Sequence, residues 1–203
     1  MLPFDHDTAE LFLDRGISLP SRALYIGSME ALGGEHSEDN ADEPGVDFRL
    51  ADKVIKGLHV LNSMGQDPIT IILNNIGGDE YHGLGIYDAI KSSKSPTKLI
   101  VYGSAMSMGS VILQAATKRY LAPNATVMIH MGSVNTHIDQ RDVEAFSKEQ
   151  KRMNEVINNI YLERLREKTK YYSTNQLKEL LETDRYLSAT EAVNLGLADE
   201  VLK

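Results

Sequence analysis

Residues 97–130 read TKLIVYGSAMSMGSVILQAATKRYLAPNATVMIH. TKLIVYG (97–103) is a short apolar run rich in β-branched residues, the composition of a strand buried in a parallel sheet. TVMIHMG (126–132) is another such run, and MGSVILQAATKRY (108–120) between them has helical character. Strand, turn, helix and strand in succession are the repeating unit of an α/β protein. Upstream, PITIILNN (68–75) is a further buried-type strand, bounded by Pro68 and Asn74-Asn75. IGGDEYHGLGIYDAIKSS (76–93) follows it with paired glycines and then a helical pattern. FRLADKVIKGLHVLNSMG (48–65) spaces Leu50, Val54, Leu58 and Leu61 as one face of a helix, and RALYIGS (22–28) is a short β-type run. Downstream, 142–168 reads as one long helix, with Phe146, Gln150, Met153, Ile157, Ile160 and then Arg164 or Leu165 on one face. Its length is roughly twice that of an average helix, so it is expected to protrude and pack on another subunit. TNQLKELLET (174–183) is a short helix. SATEAVNLG (188–196) places Ser188 and Glu191 in capping-box spacing, with Gly196 at the expected stop.

The chain has 203 residues, 42% hydrophobic and 25% charged, which suits one domain with a substantial core. No repeat and no inter-domain linker is evident. A formal charge of −8 argues against nucleic acid or an anionic membrane as partner. The absence of cysteine excludes disulfides, a thiolate nucleophile and Cys-ligated zinc. The N-terminal segment (1–20) opens with MLPFDHDTAELFLDRG, which lacks the pattern of a signal peptide, and no stretch is apolar enough to span a bilayer. A cytoplasmic setting is expected. EALGGEHSEDNADEPG (30–45) is acidic, contains Gly and Pro and lacks periodicity, so residues 33–45 read as a solvated loop insertion.

The three strongest strands end in NNIGG, GSAMSMG and HMG, and sites in open α/β sheets lie beyond the carboxyl ends of the strands. Residues 105–109, Ala-Met-Ser-Met-Gly, match the G-x-S-x-G elbow with Ala105 in place of the first glycine. A sharp strand-to-helix turn with little bulk on either side exposes the central hydroxyl. Only Ser107 has small residues at both flanking offsets. Ser104 follows Tyr102 by two, and Ser110 falls in the first helical turn; both read as small residues that let the turn pack. The N–H of Met108, at the helix start, is a candidate oxyanion donor. Gly77-Gly78 could present N–H groups to an oxyanion or a phosphate. No G-K-[ST] follows, so a P-loop is excluded, and HGLG is not a dinucleotide fingerprint.

A nucleophilic serine needs a base. His6, His36, His59, His82 and His137 fall in a tail, a loop, a helix, a surface turn and a polar loop. His130 ends the apolar run TVMI at the functional edge of the sheet, although a satisfied core histidine fits that position equally well. Asp139, Asp184 and Asp199 are candidates for an orienting carboxylate, and spacing does not choose among them.

Four blocks, NNIGGDEYHGLGIYDAI, GSAMSMGSVILQAATKRYLAPNATVMIH, the long helix and TDRYLSATEAVNLGLADEVL, together resemble the proteolytic subunit of the ATP-dependent Clp protease, the ClpP family. The resemblance runs from about residue 14 to the C-terminus, interrupted by 33–45. It implies a crotonase-like fold, a β/α spiral head with a long handle helix over 142–168. It implies Ser107 as nucleophile, His130 as general base and Asp184 as orienting carboxylate, with the N–H groups of Gly78 and Met108 as oxyanion hole. It implies substrate binding along Gly77, Met131 and Gly132. It further implies seven-membered rings that can stack in pairs through the handles, a partner AAA+ ATPase that unfolds substrates, and an unfolded polypeptide as substrate. No cofactor or metal is implied.

The chain departs from the family pattern at several points. Asn74-Asn75-Ile76-Gly77-Gly78 stands where Asn-Ser-Pro-Gly-Gly is usual, and Met131-Gly132 where Gln-Pro follows the histidine. Thr183 replaces an arginine of the ring-to-ring contact, and Thr70, Ile72 and Ser92 replace residues that are usually aromatic in the ATPase-docking groove. These departures suggest a divergent member with altered partners. Alternative readings are a phage-prohead or signal-peptide-peptidase-like serine peptidase, whose Ser–Lys pairing would call on Lys118, a CoA-binding crotonase-fold enzyme, and a non-catalytic ring subunit.

Overall fold

A computed structural model describes residues 6–27, 45–132 and 139–203. The acidic insertion apart from Gly45, together with His36 and His137, lies outside the described residues. In chain order the elements are α1 (His6–Arg15), β1 (Ile17–Ser18), β2 (Ala23–Ile26), α2 (Phe48–Ser63), β3 (Ile69–Asn75), α3 (Glu80–Lys91), β4 (Thr97–Met106), α4 (Met108–Leu113), β5 (Lys118–Leu121), β6 (Thr126–Ile129), α5 (Val143–Lys168), α6 (Thr174–Leu181), β7 (Arg185–Ser188), α7 (Ala189–Leu195) and β8 (Glu200–Val201).

β2, β3, β4, β5 and β8 run parallel in that order, and β1 pairs antiparallel with β2. β4 changes partner along its length. Lys98–Val101 pair with β5, whereas Ser104–Met106 pair with β6. Gly103, at φ 77°, lies at the change. A Cβ there would meet the Asn74 side chain at 2.6 Å, and the positive φ itself favours glycine. β6 in turn pairs antiparallel with β7.

The sequence spacing accounts for much of this. The α2 face of Leu50, Val54, Leu58 and Leu61 is buried, each side chain contributing about 1.5–3 kcal/mol, and Asp47 caps the helix by accepting the Leu50 N–H at 2.8 Å. α7 has the expected capping box of Ser188 and Glu191 and stops at Gly196, which is left-handed at φ 98°. In β3 only alternate residues are fully buried, Ile69, Ile71, Leu73 and Asn75; Thr70, Ile72 and Asn74 are half-buried on the other face.

The helix expected over 108–120 ends at Leu113, and Lys118–Leu121 form β5 instead. Arg119 anchors that strand. Its buried guanidinium donates to Gln114, to the carbonyl of Gly196 and, at 2.6 Å, to Asp199, which fastens this strand beside β8. Burial alone would raise the Asp199 carboxyl, but hydrogen bonds and charge from Arg119 outweigh it and hold it below its ordinary value.

α5 divides into two parts. From Val143 to Arg152 it is mostly exposed, whereas Met153, Ile160, Tyr161, Leu162 and Leu165 are buried. Arg164 ties its base to the head by donating to the carbonyls of Gln114 and Ala116 at the end of α4. Among the described residues no helix is long and apolar enough to cross a membrane.

Candidate active site

β4 ends at Met106 and α4 begins at Met108, so Ser107 alone makes the strand-to-helix turn. It does so at φ 49° and ψ −122°, a conformation that costs a side-chain-bearing residue about 1–3 kcal/mol. Its neighbours hold it there. The Ser107 N–H donates to the Met128 carbonyl at 2.9 Å. The Ser107 carbonyl accepts the Ser110 N–H at 2.9 Å and the Ser110 hydroxyl at 2.6 Å. Because the Ser110 proton is so used, the Tyr161 hydroxyl donates to Ser110 Oγ, also at 2.6 Å, from the buried part of α5. Burial pushes the Tyr161 phenol well above its ordinary value, so it stays a proton donor. Nothing in the spacing of GSAMSMGS marked Ser110 as more than a small residue.

Small residues around this turn are required by contact. A Cβ on Gly77 would fall 2.6 Å from the Ser107 Cβ, and one on Gly109 would fall 2.7 Å from the Asn75 carbonyl oxygen. Asn75 is itself buried. It donates to the Gly27 carbonyl and accepts the Gly77 N–H at 2.8 Å, bracing the turn where the family pattern has Ser-Pro.

His130 is the first residue past β6. Its Nε2 lies 2.8 Å from Ser107 Oγ, and its Nδ1 lies 3.2 Å from Asp184 Oδ1. The register of β6 with β7, Ile129 opposite Arg185, sets Asp184 beside His130. The other candidate carboxylates are engaged elsewhere: Asp139 with Arg141, and Asp199 with Arg119. Lys118 is exposed and pairs with Lys98 at the far end of β4, so it does not approach Ser107.

Since the Ser107 N–H is committed to β6, the next N–H on the turn, that of Met108, is the one available to an oxyanion. Gly77-Gly78 runs alongside: a Cβ on Gly77 would lie 3.1 Å from the Met108 nitrogen. Val46 clamps this strip from the other side, donating to the Gly77 carbonyl and accepting the Asp79 N–H at 2.8 Å. Gly78 and Met108 line a cavity of about 400 Å³ together with Ser107, His130, Met131 and Gly132. Its wall includes Val111, Ile157 and Tyr161 as well as Asp79, Glu80, Tyr81 and Gln150. Sequence reasoning passed over Glu80, which is half-buried here. Burial, and then the charge of Asp79, raise its carboxyl, with His130 acting the other way. Among the described residues, no group of three or more histidine, aspartate or glutamate side chains converges as a metal site.

The departures in the outer surface lie elsewhere. Ser92 lines a groove of about 370 Å³ with Ile55, Leu58, His59, Asn62 and Ala89. Thr70 and Ile72 sit on the half-buried face of β3, and Thr183 is exposed next to Asp184.

The Clp protease family model matches residues 43–203. The ATP-dependent Clp protease proteolytic subunit of Deinococcus radiodurans is 35% identical over 162 residues, covering 77% of this chain and 76% of that protein. The ATP-dependent Clp protease proteolytic subunit 2 of Pseudomonas aeruginosa is 33% identical over 164 residues, covering 78% and 77%. A solved structure of a ClpP1 mutant from Listeria monocytogenes superposes with a TM-score of 0.73 at 30% identity, covering 91% of this chain and 93% of that one. The architecture is thus the crotonase-like one of those proteins, with α5 as its handle.

Proposed function

The chain belongs to the Clp protease family, and from that premise we propose that it is a serine endopeptidase acting through Ser107, His130 and Asp184. The observation that carries this reading is the strained Ser107, its Oγ 2.8 Å from an imidazole whose other nitrogen faces a carboxylate. Ser107 Oγ attacks the peptide carbonyl while His130 Nε2 takes its proton. Asp184 accepts from Nδ1–H, holds the tautomer and stabilises the imidazolium. The N–H groups of Met108 and Gly78 receive the negative charge on the tetrahedral oxygen. His130 then protonates the leaving amine, and water, activated by the same imidazole, releases the acyl group from Ser107. Extended substrate lies along Gly77, Met131 and Gly132.

The subunit assembles with copies of itself into a seven-membered ring, alone or stacked through α5, and receives unfolded polypeptide from a Clp-type ATPase in the cytoplasm. The relatives are named as proteolytic subunits of ATP-dependent proteases, which supports this assembly. Labelling with an alkyl fluorophosphonate tests the chemistry. Wild type is expected to label and Ser107→Ala is not; absence of Ser107-dependent labelling in any assembly state overturns the reading. Native mass distinguishes a single ring from a double one.

A further inference from the structure

We propose that Glu80 makes the cavity beside Ser107 selective for a cationic side chain, lysine or arginine, on the residue whose carbonyl is attacked. This rests on the peptidase reading and adds a substrate class to it. The Cα of that residue is bonded directly to the attacked carbon, so its side chain starts nearest the cavity that Ser107 and Met108 line.

The cavity wall has two characters. Val111, Ile157 and the Tyr161 ring offer an apolar surface suited to a methylene stem. Glu80 adds a carboxylate to the same lining. A long cationic side chain fits both, its stem on apolar surface and its head on a charge. No lysine or arginine lines the cavity, and among the described residues none pairs with Glu80. The neighbouring acids are already satisfied: Asp79 accepts the His82 N–H at the start of α3, and Glu149 holds Arg152 and the Tyr81 hydroxyl. Glu80 is therefore a half-buried carboxylate with no lysine or arginine partner, whose loss of water outweighs the opposing charge of His130, as its raised pKa reflects. Its place in the first turn of α3 favours the ionised form. It reaches across to the chain leaving His130, since a Cβ on Gly132 would lie 3.5 Å from Glu80 Oε1. A substrate cation supplies the missing partner.

The test uses two peptidyl diphenyl phosphonates that differ only in lysine or norleucine at the acyl-side residue. Both attach to the nucleophile without turnover. Wild type is expected to label with the lysine probe about tenfold faster, and Glu80→Gln to bring the ratio to about one. Glu80→Lys should invert it. Equal rates or a norleucine preference in wild type overturn the proposal without reference to any variant, and so does a ratio unchanged in Glu80→Gln. An alkyl fluorophosphonate, which has no such side chain, separates the two readings. If it labels Ser107 while the lysine preference is missing, only the specificity fails. If it does not label, the peptidase reading fails and this one with it.

Discussion

Arg22 and Ser107 have the same backbone angle, φ 49°, and are the two non-glycine residues with positive φ among those described. Arg22 secures its own turn. Its guanidinium donates to the carbonyls of Asp67, Leu61 and Gly65 and to the Ser95 hydroxyl, so the side chain compensates the strain of its backbone. Ser107 is held entirely by others. Met128 takes its N–H, Ser110 occupies its carbonyl, and Gly77 leaves room for its Cβ. Its own hydroxyl goes to His130. The difference separates a strained residue whose side chain serves the fold from one whose side chain is spared that task and, in the proposed function, serves the chemistry.

Asp184→Asn addresses the chemical side of this contrast most directly. It should reverse the imidazole tautomer and slow turnover about a thousandfold or more, with native mass unchanged. Wild-type turnover would mean that another acid orients His130. Arg22→Ala addresses the structural side. Losing the guanidinium hydrogen bonds should cost about 3 kcal/mol in denaturant unfolding at fixed protein concentration, while fluorophosphonate labelling of the folded protein persists. Tyr161→Phe removes one external brace. A loss of about 1 kcal/mol and a severalfold fall in kcat, with the pH profile unshifted, is expected, because the Ser110 hydroxyl can still reach the Ser107 carbonyl. A shifted pH profile would instead place Tyr161 in the proton path. The smallest effect carries the sharpest sign. Ser107→Gly should be more stable than Ser107→Ala by about 1 kcal/mol, because it releases strain and loses no structural contact beyond that of the methyl, whereas Arg22→Gly should be less stable than wild type. Destabilisation of Ser107→Gly relative to Ser107→Ala would erase the contrast.

The alternation of buried strands and helices was legible because burial writes itself as runs and periods. ITIILNN, TKLIV and TVMI stand out, as do the α2 face and the α7 capping box. α4 was overextended because 111–116 are buried without a break, and a buried helix does not show its end as an amphipathic one does. β7 left no signal, since RYLS has a single buried residue, Leu187. That is why spacing left three aspartates open: the acid that meets His130 is positioned by a strand that periodicity cannot see. Glu80 was equally hidden, because DEY reads as a surface turn until α3 folds it against the cavity beside Ser107.

The antiparallel pairing of β6 with β7 also has a consequence in time. His130 and Asp184 are 54 residues apart, with all of α5 and α6 between them. At ordinary rates of translation that interval is roughly 3–10 s. During it the growing chain holds the serine and the histidine but not the acid. The contact of His130 with Asp184 closes only after RYLS has been made and docked along β6, so in the proposed function the base lacks its orienting acid until then.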